Sequence, residues 1–449
     1  MSYRNLFYLL NFGLLASFGV SYVLDFKTEW RGYQNQYFAM AADSLEKDGK
    51  HAEAEKMRHQ WPEIKQIINK DLDRIDRCTT CHVGMDEYSN PTMKNDFTKN
   101  PFKAHPNVAE INGKHPFQKY GCTVCHQGQG MATTVAGAHG RVRNWEQPLL
   151  EGQMIQGACA RCHDNFEHLK GAEVAAKGKH LFYEHGCQGC HSVRGVGGVI
   201  SVDLKDIADK PLERIAGYNF SRVKYKGNLL SQDDWTRAHW IMGHLENDPM
   251  QVTPNDPMAK FNAEPIAPSG MPNWTEEDAT GKREITEEDA EAITTWLMSM
   301  SPETKIPREY YVSGPAASEP KLAGAAHGKF VFEKYGCAGC HGLHGSKGRR
   351  NFNAKGAGQE METAKQDEWG DMDKGREPTL VDVVGTYTHE ELVKKISNGV
   401  KSVDIVKFNP SGPTPPLYMP TWKDKISPAE LDDLAAYLMS IAKKQDVGF

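Results

Sequence analysis

All ten cysteines of this 449-residue chain fall in strings of the form Cys-x-x-Cys-His. The strings are Cys78-Thr79-Thr80-Cys81-His82, Cys122-Thr123-Val124-Cys125-His126, Cys159-Ala160-Arg161-Cys162-His163, Cys187-Gln188-Gly189-Cys190-His191 and Cys337-Ala338-Gly339-Cys340-His341. Two thiols three positions apart, followed at once by an imidazole, are the donor set for covalent attachment of a c-type haem. The thiols form thioethers with the porphyrin vinyl groups, and the adjacent imidazole lies under the iron as its proximal ligand. The expected cofactor complement is therefore five covalently attached haem c groups. Covalent attachment lets a short peptide hold a large group without a deep pocket, which suits strings beginning as close together as 78, 122, 159 and 187. Two other uses of paired cysteines fit less well. Zinc ribbons join one Cys-x-x-Cys pair to another, but five pairs is an odd number, and zinc gives no reason for a histidine after each. Redox-active pairs follow a strand in a thioredoxin-like pattern. With every cysteine in a string, none is left for a structural disulfide or a nucleophile.

Each iron also needs a partner on its other face. Of the 18 histidines, His105, His115 and His139 lie among the first three strings and are the candidate distal ligands there, with no assignment of any one to a given iron. His168, His180 and His185 are secondary candidates, and Met85, Met93, Met131 and Met154 remain open. His51 and His59 read mostly as solvent or core residues, with haem ligation as the lesser alternative.

The elements that must carry these strings begin with an apolar run. Leu6 to Leu24 contains no charge and is long enough for a hydrocarbon core of about 30 Å. Arg4 precedes it, favouring an inside N-terminus. No small-x-small cleavage site follows, so residues 1–24 are expected to be a retained single-pass anchor. Asn11, Ser17 and Ser21 could face a partner helix, and Trp30 and Tyr33 read as interfacial anchors. Because haem is attached to such strings outside the energy-transducing membrane, the expected location is a bacterial cytoplasmic membrane with the haem-bearing part on the periplasmic side.

Residues 25–77 read as a helical neck. Apolar Trp61, Ile64, Ile68, Leu72 and Ile75 at steps of three and four predict a helix there, with Pro62 in its first turn. Residues 78–170 hold three strings in a loop-rich stretch and form the expected trihaem module. From residue 171 the chain repeats itself. Gly178 to Cys187 (GKHLFYEHGC) matches Gly328 to Cys337 (GKFVFEKYGC), and Met271-Pro272-Asn273-Trp274 matches Met419-Pro420-Thr421-Trp422. Ile285–Met300 likewise matches Ile426–Ile441. The last pair predicts amphipathic helices capped by Thr286 and Ser427, with acidic first turns. Residues 306–323 are the linker between copies, expected to let the last domain swing. Insertions at about 205–265 and 349–376 lengthen both copies.

Each copy resembles a class I cytochrome c domain: an N-terminal helix, the attachment string, a loop with Met-Pro, and a C-terminal helix with an aromatic residue (Trp296, Tyr437). The resemblance covers 171–305 and 324–449. It implies a mainly α fold, here with a transmembrane helix, a loop-rich trihaem module and two tandem class I domains. It also implies that Met271 and Met419 are distal iron ligands, with Met242, Met250 and Met258 as competitors in the first copy. A second resemblance covers residues 1–170. His115-Pro116 and the stretch Tyr120 to Gly130 (YGCTVCHQGQG) resemble membrane-anchored multihaem subunits of quinol-oxidising respiratory complexes that partner a cytochrome b.

Charge and composition narrow the function. With 53 basic and 59 acidic residues, the net charge is −6, which argues against a nucleic-acid binder. A hydrophobic content of 39% and mean hydropathy of −0.61 exclude a polytopic membrane protein. The expected function is a non-catalytic electron relay, from a quinone-binding, cytochrome b-like membrane partner to a soluble or terminal acceptor. The competing class is a multihaem peroxidase or nitrogen-oxide reductase, which needs one iron with an open position. A structural filament role fits poorly with a membrane span and two ordinary cytochrome domains.

Overall fold

In the computed structural model the described residues are 2–85, 95–142, 145–198, 200–210, 224–225, 228–229, 236–247, 271–275, 281–301, 306–314, 321–349, 377–399 and 418–443. Met93, Met250 and Met258, and most of both insertions, lie outside them. The described chain is mainly helical and divides into two compact units, Met1–Glu151 and Gly152–Phe449.

In the first unit, α1 (Tyr3–Phe26) opens at Ser2, whose hydroxyl accepts from the Asn5 N–H, and none of its residues is buried. It is long and apolar enough to cross a membrane. Asn11 and Ser17 donate to the carbonyls of Phe7 and Leu14 at 2.8 and 2.7 Å. These polar groups are thus satisfied within the helix. Helix α2 (Glu29–Lys47) packs on α3 (His51–Arg58) around Tyr37, Phe38, Ala41, Leu45 and Ala54, with Val83 and Phe102 closing the core. Trp30, expected at a membrane interface, is only 5% exposed, and Tyr33 packs against the same core. Trp30 falls in register with the buried face of α2, so it turns inward. His51 and His59 are exposed and paired with Glu46 and Glu55.

The helix expected over 61–75 is not formed. Strand β1 (Ile67–Asn69) pairs antiparallel with β2 (Arg74–Asp76), and Trp61 and Ile68 are exposed. The intervening residues explain why. The Asn69 side chain accepts from the Leu72 N–H at 2.9 Å, and Asp73 adopts φ 48°. Asn and Asp satisfy the backbone locally in such turns and tolerate the left-handed region, which turns the chain back where the spacing predicted a helix. Helix α4 (Val108–Lys114) completes the unit's longer helices.

The second unit contains α5 (Glu173–Glu184), α6 (Arg237–Glu246), α7 (Glu287–Leu297), α8 (Gly324–Lys334), α9 (His389–Asn398) and α10 (Pro428–Ile441). Helix α5 crosses α7 as α8 crosses α10. Both crossings are backbone-close: a Cβ at Gly178 would overlap the Ala292 carbonyl, and one at Gly328 the Asp433 carbonyl. Beside each glycine a ring pair fills the crossing, Phe182 with Trp296 at 4.9 Å and Phe332 with Tyr437 at 5.7 Å. Thr286 with Asp289 and Ser427 with Glu430 form capping boxes at the starts of α7 and α10, where the acidic first turns placed them.

Gly328→Ala should force α8 and α10 apart. Overpacking of this kind costs on the order of 1–3 kcal/mol, so the urea midpoint followed by far-UV circular dichroism should fall. Gly113→Ala on α4, where nothing lies within 4 Å of the new Cβ, should leave the midpoint unchanged or raise it.

Candidate haem-attachment sites

All five strings adopt one backbone turn. The histidine N–H donates to the carbonyl of the first cysteine, at 2.9 Å for His82 and His191 and at 3.0 Å for His126, His163 and His341. The second cysteine N–H donates to the same carbonyl, at 3.1 Å for Cys125 and 3.2 Å for the other four. Positions i, i+3 and i+4 of a helical turn share one face, so this turn sets both sulfurs and the imidazole on one side.

In the first unit two strings converge. The ligand atoms of Asp76, Cys78 and Cys122 lie within 4.8 Å of one another. Asp76, at the end of β2, is 2% exposed and accepts from the N–H groups of Cys122 and Thr123 at 2.7 Å each and of Cys78 at 3.1 Å. Burial by itself raises its carboxyl, but hydrogen bonds from Cys78 and from these backbone groups hold it below the ordinary value. One carboxylate thus ties the N-termini of both turns, where unpaired N–H groups favour negative charge. Gly121 permits the approach: its φ is 70°, and a Cβ there would stand 3.1 Å from the Asp76 carboxylate. Gln34, fully buried on α2, donates to the carbonyls of Thr80 and Glu63 at 2.8 and 2.7 Å, and so fixes the first string to the helical core.

The candidate distal histidines separate into two kinds. His139 faces His82, with ring centroids 6.4 Å apart and planes inclined by 33°. His105 faces His126 at 6.0 Å with planes at 87°. His115 lies instead against Tyr120 at 5.3 Å. Met131 is 55% exposed, and the Met85 carbonyl accepts from the His105 N–H at 3.0 Å.

The third string, grouped with the first two in the sequence reading, lies in the second unit. It begins within a 3-10 segment, Gly152–Arg161, in which Gly157 abuts the Thr295 carbonyl of α7. Arg161 donates to the Met298 carbonyl at 3.3 Å. His163 forms a parallel bridge with Val312, and the Val312 N–H donates to the Cys162 carbonyl at 2.8 Å. At Val312, the described start of the expected linker is therefore paired with this string, which long-range backbone pairing decides and composition does not. Met154 is buried, His180 is exposed and lies 3.6 Å from Glu184, and His185 pairs with Glu284.

The fourth and fifth strings meet across the two repeats. A Cβ on Gly186 or Gly189 would overlap the backbone of Gly339 or Gly336, and the reverse also holds. The thiols of Cys190 and Cys340 are within hydrogen-bonding reach, and Gln188 donates across to the Glu333 carbonyl. Glu284 accepts a bidentate pair from the Arg349 guanidinium, which also stacks 4.4 Å from the Trp274 ring. The Arg349 N–H donates to the Cys340 carbonyl at 2.8 Å, and His185 lies 3.2 Å from Glu284. Burial by itself raises the Glu284 carboxyl, but hydrogen bonds from His185 and Arg349 and their charges bring it to about 2. These contacts join the two repeats within one compact unit, where the linker composition predicted a swinging domain.

The donor chemistry fits haem c. Burial pushes down all five string imidazoles, favouring the neutral form that donates to a metal. His191 Nδ1 lies 2.9 Å from the Val202 carbonyl and His341 Nδ1 2.9 Å from the Pro378 carbonyl. A carbonyl at Nδ1 fixes the tautomer and would leave Nε2 as the nitrogen for a metal. Burial raises the thiols, Cys81 to about 11 and Cys187 and Cys337 to about 12, unlike the thiolates of a redox pair.

Met419 packs on the core cluster that also receives Cys337. Met271 is partly buried, three residues before Trp274, which is 2% exposed. Met242, its described competitor, is 1% exposed on α6. Sequence reasoning missed His244 on the same helix. Its Nδ1 lies 2.7 Å from the Trp240 carbonyl. Burial, with the nearby charges of Lys210 and His191, drops it to about 4. A histidine inside the apolar run Trp240 to Leu245 was the available signal.

A family model described as Cytochrome c matches residues 175–301 and 325–442, the two repeats. Comparison with curated proteins and with solved structures returned no match.

Asp76→Ala should destabilise the first unit more than Asp76→Asn, which keeps an acceptor; each buried donor left unpaired costs about 1–3 kcal/mol. Urea unfolding of the two variants measures the difference. Glu284 has a folded pKa of about 2 against an ordinary 4.5. Its contribution is therefore complete above about pH 4.5 and is lost as pH falls toward 2. Thermal unfolding across that window should show a decline that Glu284→Gln flattens.

Proposed function

The chain belongs to the cytochrome c family, whose members hold covalent haem c and transfer electrons, and on that premise we propose a membrane-anchored pentahaem cytochrome. In this reading it relays electrons from a quinol-oxidising, cytochrome b-like membrane partner to a periplasmic or terminal acceptor, without catalysing a reaction on a substrate. The observation that carries the reading is the shared turn. The strings at 78, 122 and 159, outside the matched segments, have the same hydrogen bonds and the same Cys-Cys-His face as those at 187 and 337.

When bound, haem c supplies a one-electron iron couple whose potential the protein tunes. The chain's own residues do the rest. Each cysteine pair anchors, and His82, His126, His163, His191 and His341 stand as proximal ligands. Met271 and Met419 serve as distal ligands in the repeats, where a thioether raises the potential relative to a second imidazole. The first unit holds two strings, and its distal ligands come from among His105, His115 and His139, of which His115 lies against Tyr120 rather than a string imidazole. The touching of Cys78 with Cys122 and of Cys190 with Cys340 supports a relay, because neighbouring attachment points shorten the transfer distance. Helix α1 supports the anchor, with the strings beyond it on the periplasmic side. The net charge of −6 favours a basic docking patch on the acceptor and salt-dependent association.

Mass spectrometry of the denatured chain should show five haem additions, and fewer would overturn the count. Gentle detergent extraction should bring down a b-type cytochrome. A high-spin haem in the oxidised spectrum, with turnover of peroxide, would move the assignment to an enzyme.

A further inference from the structure

The two facing imidazole pairs of the first unit have the dimensions of two iron sites. An imidazole nitrogen bonds a metal at about 2 Å, so two imidazoles on opposite faces of one iron have ring centroids about 6 Å apart. His82 and His139 stand at 6.4 Å, and His105 and His126 at 6.0 Å. Ring spacing alone does not separate this arrangement from an ordinary aromatic contact, since such pairs span about 4.5–7 Å. The backbone around each histidine supplies the second argument.

His105 Nδ1 lies 2.8 Å from the Pro106 carbonyl, which leaves Nε2 as the available donor, as for His191 and His341. Its N–H donates to the Met85 carbonyl, three residues past the first string, so the segment crosses from one string to serve the other. His139 ends a single helical turn, Val135–Ala138, capped by Thr134. It is held from both sides: its N–H donates to the Val135 carbonyl at 3.0 Å, and its own carbonyl accepts from Leu149 at 2.9 Å. The next residue, Leu150, donates to the His126 carbonyl at 2.8 Å, tying this loop to the second string as well. The backbone of both candidate histidines is therefore held by contacts beside the strings, at Met85 for His105 and through Leu149 and Leu150 for His139.

We propose that His139 is the distal ligand of the iron held by His82, and His105 that of the iron held by His126. The first unit then carries two bis-histidine centres whose ring planes differ, gently inclined in one and nearly perpendicular in the other. The proposal rests on the reading that these strings carry haem, and the test separates the two.

The full-length protein is purified oxidised in detergent and its haem count taken by mass. Electron paramagnetic resonance should show a strongly anisotropic low-spin signal, characteristic of perpendicular imidazoles, beside a rhombic one. His105→Ala should remove the anisotropic signal and convert one haem of five to a high-spin, carbon monoxide-binding form. His139→Ala should do the same to a rhombic signal. Added imidazole should restore low spin in each variant, showing that the fold survives. His115→Ala should change neither signal. A wild-type spectrum without the anisotropic signal would overturn the proposal. So would unchanged spectra in both alanine variants with five haems retained, or a high-spin haem in His115→Ala. A wild-type mass lacking haem on Cys78–Cys81 or Cys122–Cys125 would overturn the haem reading itself, independently of the spectra.

Discussion

The structure depends on one hydrogen-bonded turn, from the carbonyl of each string's first cysteine to the N–H of its histidine. A local bond of this kind needs no help from distant sequence. It places two thiols and an imidazole on one face, so the surroundings have only to hold that imidazole in place. This division of labour explains how the same turn recurs in settings as different as the β-hairpin and loops of the first unit and the crossed helices of the second.

Around that turn, each unit solves close approach differently. In the first, a buried carboxylate gathers the N–H groups that start two turns, so Asp76 attaches both strings to a single charge. In the second, four glycines remove the Cβ atoms that would keep two strings apart, and the Glu284–Arg349 pair closes the side of the contact. A bidentate carboxylate–guanidinium pair adds direction as well as attraction. Arg349 also lies over Trp274, three residues beyond Met271, and donates its N–H to Cys340. A change at this pair would therefore be felt at both repeats.

Much of the helical framework was legible from side-chain chemistry over short spans. The caps at Thr286 and Ser427 and the ring partners Trp296 and Tyr437 lie where the repeat predicted them, and the apolar run at Leu6–Leu24 lies within the helix Tyr3–Phe26. Local patterns failed where two structures shared a spacing. Trp61, Ile64, Ile68, Leu72 and Ile75 follow a helical period, yet Asn69 and Asp73 turn the chain back on itself. Trp30 has the composition of an interfacial anchor, yet the register of α2 buries it. The third string's proximity in sequence to the first two did not decide its partners, because Arg161 and Val312 bind it into the second unit.

By itself the sequence determined the Cys-x-x-Cys-His string and how often it recurs, where an apolar helix runs and that one stretch of the chain is repeated. All of these are written within a few residues or in a repeat that can be aligned. Only the tertiary structure decided which histidine faces which, that Asp76 joins two strings and that the repeats meet through their glycines. Those relations join residues far apart in the chain, such as His82 with His139 and Gly186 with Gly339. Their contacts form only after loops have closed, so no local pattern records them.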